Sequence, residues 1–387
     1  MNRRVCVITG SRAEYGLLRW VMEGIRDSES LDLQVVATGM HLAPEFGSTY
    51  LEIERDGFVI DRKVEMLVSS DTATGVTKSM GLALIGFADA LADLAPNLVL
   101  LLGDRFESFC AATAAMMARI PIAHLHGGET TEGAVDEAMR HAMTKMAHLH
   151  FVAADPYRRR VIQLGEHPDR VFVVGGLGVD ALQRLELMDR PELEASLGIA
   201  LGARSLLITL HPATLEPGQA EAQLGELLAA LADLVDTTLI FTMPNADTEG
   251  WRLRAMIDRF VDDHPNAVAF TSLGQRRYLS CVRHVDAVVG NSSSGLAEAP
   301  TFHTATINVG SRQQGRLRAD SVIDCEPDRL AIRAALARLE TPSFQARVAK
   351  ATNPYGRGGA SAATVALLES TSFEGLLHKR FHDLRTP

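Results

Sequence analysis

The stretch HLHGGETTEGAVDEAMRH, residues 124 to 141, gathers His126, Glu129, Asp136, Glu137, Arg140 and His141 between ordinary apolar segments. Carboxylates, imidazoles and a guanidinium at this density suit the removal and return of protons, provided burial and neighbouring charges shift their pKa values apart. Asp136 and Arg140 stand four residues apart, as do Glu137 and His141, so each pair shares one helix face. Two carboxylates would then be offered at a helix start beside Glu129. The plain alternative is a surface helix carrying such pairs. His124, His126 and Glu129 also have the spacing of metal ligands on a loop. No further His, Asp or Glu cluster in the first half completes a closed site, so a metal ranks second to acid–base chemistry.

Further candidates lie at turns that follow apolar runs. VITGSRAEYG places Arg12 in a Ser-Arg turn, LLLGDRFE places Asp104 and Arg105 together, and LITLHP places His211 before a proline. VVGNSSSGLAEAP offers Ser292, Ser293 and Ser294 with backbone N–H groups at a helix start, a ready site for a diphosphate. Taken singly, Gly-Asp-Arg and GNSSSG read as capped turns and His211 as a satisfied core histidine. GGLGVD at 175–180 lacks the strand-first context of a dinucleotide fingerprint and reads as a hinge or turn.

Short apolar runs at 5–9, 33–38, 98–102, 120–125, 149–152 and 171–174, each bounded by turn residues, read as buried parallel strands. Segments 17–26, 75–94 and 107–119 carry helical spacing between them. The second half repeats the plan with runs at 205–210, 238–242, 268–270, 287–289 and 304–308. The pattern predicts an α/β chain of two doubly wound, Rossmann-like domains joined near 175–195, with ligands at the carboxyl ends of the strands. The length of 387 residues with 47% apolar content allows two cores.

A net charge of −10 without basic blocks argues against a nucleic-acid backbone as the main partner. The four cysteines are far apart, which fits reduced thiols in a cytoplasmic chain better than a disulfide framework or zinc site. The first apolar run is broken by Gly and charge before it could form a signal or a membrane span, so neither export nor a membrane partner is expected.

GSRAEYG, TGMHLAPEFG, GDRFE, HLHGGETTEGAVDEAMRHAMTKMAHLHF, HP, GNSSSGLAEAP, INVGSRQQGR and NPYGRGGAS occur in the order seen in the hydrolysing UDP-N-acetylglucosamine 2-epimerases. The resemblance runs from residue 4 to about 370. It implies the GT-B architecture: a Rossmann-like domain over 1–180 on the sugar and catalytic side, a second over 190–360 that binds UDP, and a C-terminal helix within 361–387 crossing back to the first. The active site would lie in the interdomain cleft. It also implies a UDP-sugar substrate, neither metal nor redox cofactor, and a homo-oligomer, dimer or tetramer.

In the chemistry so implied, a base takes the proton from C2 of the sugar while UDP leaves C1. The resulting 2-acetamidoglucal adds water, and a free sugar inverted at C2 is released. Such a C–H is weakly acidic, so a positioned carboxylate and a dry site must do much of the work. By the resemblance, Asp104, Glu129, Asp136 and Glu137 form the acid–base pool, with His211 a further candidate. Arg12, Arg105, Ser292, Ser293 and Ser294 resemble diphosphate contacts. Glu298 resembles the carboxylate that takes the ribose hydroxyls, and Arg312 and Asn245 lie in matching loops that serve nucleotide or sugar. His126 stands where non-hydrolysing relatives carry Glu in an H-x-E triplet, so either Glu129 replaces that acid or His126 shares its role. Arg357 stands where many relatives have Asp in NPYGDG.

Two other classes fit parts of this pattern. A GT-B glycosyltransferase would need an acceptor pocket but no carboxylate cluster, and a non-catalytic nucleotide-sugar-binding protein would bind UDP without releasing it. Within the epimerases, the donor is either UDP-N-acetylglucosamine, for sialic acid synthesis, or a UDP-linked 2,4-diacetamido-2,4,6-trideoxy sugar, for legionaminic acid synthesis.

Overall fold

The computed structural model describes residues 2–70, 72–132, 135–211, 218–243, 250–271 and 273–384. The chain divides into two units, one of residues 1–129, 135–181 and 358–387, the other of residues 130–134 and 182–357.

The first unit is built on seven parallel strands: β1 (Arg3–Thr9), β2 (Leu31–Thr38), β3 (Arg62–Val64), β4 (Leu98–Leu102), β5 (Ile122–Leu125), β6 (Leu149–Val152) and β7 (Val171–Val173). Their order is β3-β2-β1-β4-β5-β6-β7. All five residues of β4, LVLLL, are buried, as a central parallel strand covered on both faces requires. The connections reverse direction between β1 and β4, and a doubly wound sheet opens its ligand crevice at the carboxyl ends of such a pair. Arg12 follows β1 and Asp104 follows β4.

Helix Arg12–Arg26 begins five residues before the apolar periodicity that announces it. Ser11 caps it, accepting the Glu14 N–H at 3.4 Å, and Glu14 accepts the Gly10 N–H at 2.9 Å, a variation on the capping box. GGLGVD departs from the expected hinge or turn: only its first residues turn, and helix Leu177–Arg184 starts within it. Asp180 on that helix accepts the N–H groups of Gly359 (2.6 Å) and Ser361 (3.0 Å). It thereby satisfies otherwise orphaned donors at the start of helix Ala360–Ser370, which packs on helix Arg12–Arg26.

Beyond that helix, Lys379 donates to the Lys145 and Ala147 carbonyls, both at 2.7 Å, and pairs with buried Glu166 at 2.7 Å. The C-terminal segment is thus tied to the end of helix Asp136–Met146. Helix Ala73–Leu94 is long and apolar enough to cross a membrane by length and composition alone. Its Ala83, Phe87, Ala90 and Leu91 are buried in the core with Ile8, Val36 and Leu101.

The second unit has six parallel strands: β8 (Arg204–Thr209), β9 (Thr237–Thr242), β10 (Ala267–Phe270), β11 (Ala287–Gly290), β12 (Ala305–Val309) and β13 (Val322–Cys325), ordered β10-β9-β8-β11-β12-β13. Its direction reverses between β8 and β11. Gly290 closes β11 at φ 131°, where any side chain would overlap the Thr209 carbonyl of β8, so only glycine lets the two strand ends meet.

Candidate functional site

In the first unit, two of the expected carboxylates, Asp104 and Glu129, converge on Arg140. Helix Asp136–Met146 carries this guanidinium, only 3% exposed, to the carboxyl end of β4, where it bonds Asp104 Oδ2. Its Nη1 donates to the His126 carbonyl at 3.1 Å and lies 3.9 Å from Glu129 Oε2. The i,i+4 spacing suggested an Asp136–Arg140 pair. The helix instead turns Arg140 inward, where Asp104 and Glu129 supply the counter-charge that a buried cation requires.

Asp136 keeps solvent access at the helix start. Its carboxyl is pushed up by the loss of hydration on its protein side and by the nearby Asp104, with Arg105 and Arg140 opposing. Glu137 and His141 pair on the expected helix face, 3.0 Å apart.

His126 sits at φ 61°, a left-handed conformation unusual outside glycine. Its Nε2 accepts the Leu177 N–H at 3.3 Å, so in the neutral ring the proton is on Nδ1, 2.9 Å from Glu129 Oε1. His124 is instead a core histidine. Its Nε2 meets the Gly103 carbonyl at 2.7 Å and burial drives its pKa down to about 3, so it braces the residue before Asp104 in neutral form. Among the described residues no group of three His, Cys, Asp or Glu is disposed to hold a metal.

Arg12 pairs with Glu52 at 3.1 Å on the open side of its helix. Arg105 holds Glu107 through two nitrogens, Nε–Oε2 at 3.1 Å and Nη2–Oε1 at 2.6 Å. Its charge is therefore met within the unit, which weakens its expected role toward a diphosphate. Behind it, burial pushes Glu14 up to about 7, against the pull of Arg105. Glu14 and Glu107 lie inside the motifs GSRAEYG and GDRFE, but the motifs draw attention to their arginines, and only the fold shows that both carboxyls are buried.

In the second unit, His211 and Asn291 bind each other reciprocally. The His211 N–H donates to Asn291 Oδ1 and the Asn291 amide to the His211 carbonyl, both at 2.8 Å. The Asn291 carbonyl in turn accepts from Arg312 (2.9 Å) and Gln313 (2.8 Å). Burial, aided by Arg312, lowers the His211 imidazole to about 4, so it is neutral at pH 7.

The serine turn differs from expectation in one physical respect. Ser294–Ala297 is a helix of four residues, too short to develop a useful macrodipole, so Ser292, Ser293 and Ser294 supply hydroxyls and N–H groups but little field. Cationic attraction there comes from Arg312 and Arg316. Burial and the charge of Arg316 lower the pKa of Arg312, so the two cations stand near enough to repel, a cost that a bound anion would relieve. Arg316 was accessible from the sequence as the second arginine of INVGSRQQGR. Glu298 is pushed up by burial, with Ser294 and Arg316 opposing. Asn245 lies outside the described residues, as does Pro212 beside His211.

A family model described as UDP-N-acetylglucosamine 2-epimerase matches residues 23–369. The chain is 39% identical to the hydrolysing GDP/UDP-N,N'-diacetylbacillosamine 2-epimerase of Campylobacter jejuni over 385 residues, 99% of this chain and 100% of that one. It is 36% identical to the hydrolysing UDP-N,N'-diacetylbacillosamine 2-epimerase of Legionella pneumophila, covering 96% of both. In fold it is similar to a Neisseria meningitidis UDP-GlcNAc 2-epimerase solved with UDP-GlcNAc bound, with a TM-score of 0.83 at 17% identity over 95% of this chain and 100% of that one. Two Rossmann-like units of the GT-B kind, matched over nearly their whole length by both sequence and fold, place the chain in the UDP-N-acetylglucosamine 2-epimerase family.

Proposed function

We propose that the protein is a hydrolysing UDP-sugar 2-epimerase, which converts a UDP-linked 2-acetamido sugar and water to UDP and the free sugar inverted at C2, for nonulosonic acid synthesis. The observation that carries this reading is the grouping of Asp104 and Glu129 on buried Arg140, with Asp136 beside Asp104 pushed toward its protonated form. Carboxyl groups in unlike environments can divide the work of taking and giving protons. In this reading the pool of Asp104, Glu129, Asp136 and Glu137, with His126 orienting Glu129, handles the C2 proton and its replacement. Neutral His211 can accept a hydrogen bond or proton. Arg312, Arg316 and the hydroxyls of Ser292, Ser293 and Ser294 take the charge of departing UDP, and Glu298 takes the ribose hydroxyls.

Incubation with a UDP-sugar alone tests it. UDP and a free 2-acetamido sugar of manno configuration should accumulate without any acceptor, and EDTA should not slow them, since both ring nitrogens of His126 are engaged. A donor left intact until an acceptor is added would indicate a glycosyltransferase, and UDP binding without release a sensor.

We also read the protein as a cytoplasmic homo-oligomer without a membrane partner. Four free cysteines, three of them buried, suit a reducing compartment. Exposed Leu82, Ile85 and Met117 on the packed helices Ala73–Leu94 and Phe106–Met117 offer an apolar face to a second copy.

A further inference from the structure

The proton on the His126 ring is placed from outside the acid–base cluster. Leu177 is the first residue of helix Leu177–Arg184, so its backbone N–H has no acceptor within that helix. It donates instead to His126 Nε2 at 3.3 Å. A donor facing Nε2 requires a lone pair there. This excludes the imidazolium and also the tautomer protonated on Nε2, the form that a free histidine side chain favours. The ring proton is thereby held on Nδ1, 2.9 Å from Glu129 Oε1. The backbone of His126 is pinned as well: its N–H donates to the Phe151 carbonyl at 2.9 Å and its carbonyl accepts from Arg140 at 3.1 Å. With the backbone fixed, the Leu177 N–H decides which ring nitrogen carries the proton.

A bond of 3.3 Å is long for an N–H donor, so a small movement of the helix would break it. A helix of eight residues has little stability of its own and takes its position from tertiary anchors. Two are present. The Leu177 side chain is fully buried in the core with Phe151, Ala360 and Leu368. One turn further on, Asp180 is 2% exposed, and each of its oxygens accepts one backbone N–H, from Gly359 at 2.6 Å and from Ser361 at 3.0 Å. Among the described residues Asp180 bonds none of the acid–base groups.

Resting on the epimerase reading above, in which Glu129 belongs to the proton-transfer pool, we propose that Asp180 is a positioning residue for the reaction. By tethering helix Leu177–Arg184 to the start of helix Ala360–Ser370, it keeps the Leu177 N–H on His126 Nε2. His126 in turn keeps its Nδ1–H aimed at Glu129, which fixes the orientation of that carboxyl group. Asp180 thus acts on proton transfer through two intermediaries and touches no substrate.

Nitrogen NMR of the protein labelled with 15N-histidine reads the tautomer directly, the His126 signals being those that vanish in His126→Gln. At pH 7 the wild type should carry the His126 proton on Nδ1, with Nε2 bare. Asp180→Asn sets an amide NH₂ against one of the two backbone donors and so loses a tether. It should let Nε2 gain a proton and lower kcat by about tenfold to 10²-fold, the range for a misplaced reacting group, with KM hardly changed. Leu177→Pro removes the N–H at a helix position that accepts proline, and should change the tautomer in the same way with Asp180 intact. A wild-type His126 protonated on Nε2 would overturn the proposal. So would a folded Asp180→Asn protein that keeps the wild-type tautomer, even with lower turnover, since Asp180 would then be merely structural. An altered tautomer with unchanged kcat would overturn it too. If the wild type released UDP from no UDP-linked 2-acetamido sugar, yet lost its Nδ1 tautomer on Asp180→Asn, the epimerase reading would fall and the bracing of His126 would stand. The wild-type spectrum needs no variant, so the proposal stays falsifiable even if a substituted protein does not fold.

Discussion

Arg140 reaches from helix Asp136–Met146 to bond the carboxylate of Asp104, the second residue past the central strand β4. One cation thus sets the position of two of the expected acid–base groups, since Glu129 lies 3.9 Å from its other arm. Arg140→Met should lower turnover by about 10²-fold and, by stranding buried carboxylates, destabilise the fold by about 3 kcal/mol. UDP release and thermal unfolding measured side by side check both; a variant altered in neither would mean that Arg140 does not position Asp104 and Glu129.

Asp104→Asn and Glu129→Gln should each reduce turnover by roughly 10²-fold or more, the usual loss for a general acid or base. UDP affinity should hardly move, because both residues belong to the unit without the serine turn. Near wild-type turnover in either variant removes that residue from the proton-transfer pool.

The UDP site should respond in binding. Replacing Ser292 and Ser293 together by alanine should weaken UDP by ~1–3 kcal/mol, the worth of hydroxyl donors on charged oxygens. Arg316→Gln should weaken it too, and more so at low salt, where charge attraction is least screened. Calorimetric titration decides, and unchanged affinity in the serine variant would leave the turn a plain structural element.

Glu14 makes a pH-dependent prediction. Its folded pKa is raised to about 7, above the ordinary 4.5, chiefly by burial. The folded protein therefore binds the extra proton between these values, and stability falls as pH rises through that window, by roughly 3 kcal/mol in all. Glu14→Gln should remove this loss, so that wild type and variant diverge from pH 5 to pH 8 in denaturant unfolding. Parallel curves would contradict it.

How much of this could be read from sequence depends on what carried each feature. The central strands are legible because burial on both faces leaves unbroken apolar runs, as in β4. Edge strands β3 (RKV) and β13 (VIDC) are not, because an edge strand need not be apolar. Asp104, Glu129 and His211 announce themselves by following such runs. Local i,i+4 spacing, which links Arg140 to Asp136, is visible in a sequence, whereas its tertiary pairing with Asp104, 36 residues away, is not. Asn291 was hidden for a similar reason: its side chain bonds backbone 80 residues distant. The serine turn was legible as a motif, but the length of its helix was not.

The central claim is that a carboxylate pool removes the proton from C2 as UDP departs, and the most direct test is the reaction run in deuterated water. Proton loss at C2 followed by hydration of the glucal must return a hydrogen from solvent, so the account predicts UDP and a free manno-configured 2-acetamido sugar with deuterium at C2, read by mass spectrometry and proton NMR. A released sugar that keeps its original hydrogen at C2, or one still joined to UDP, would contradict it.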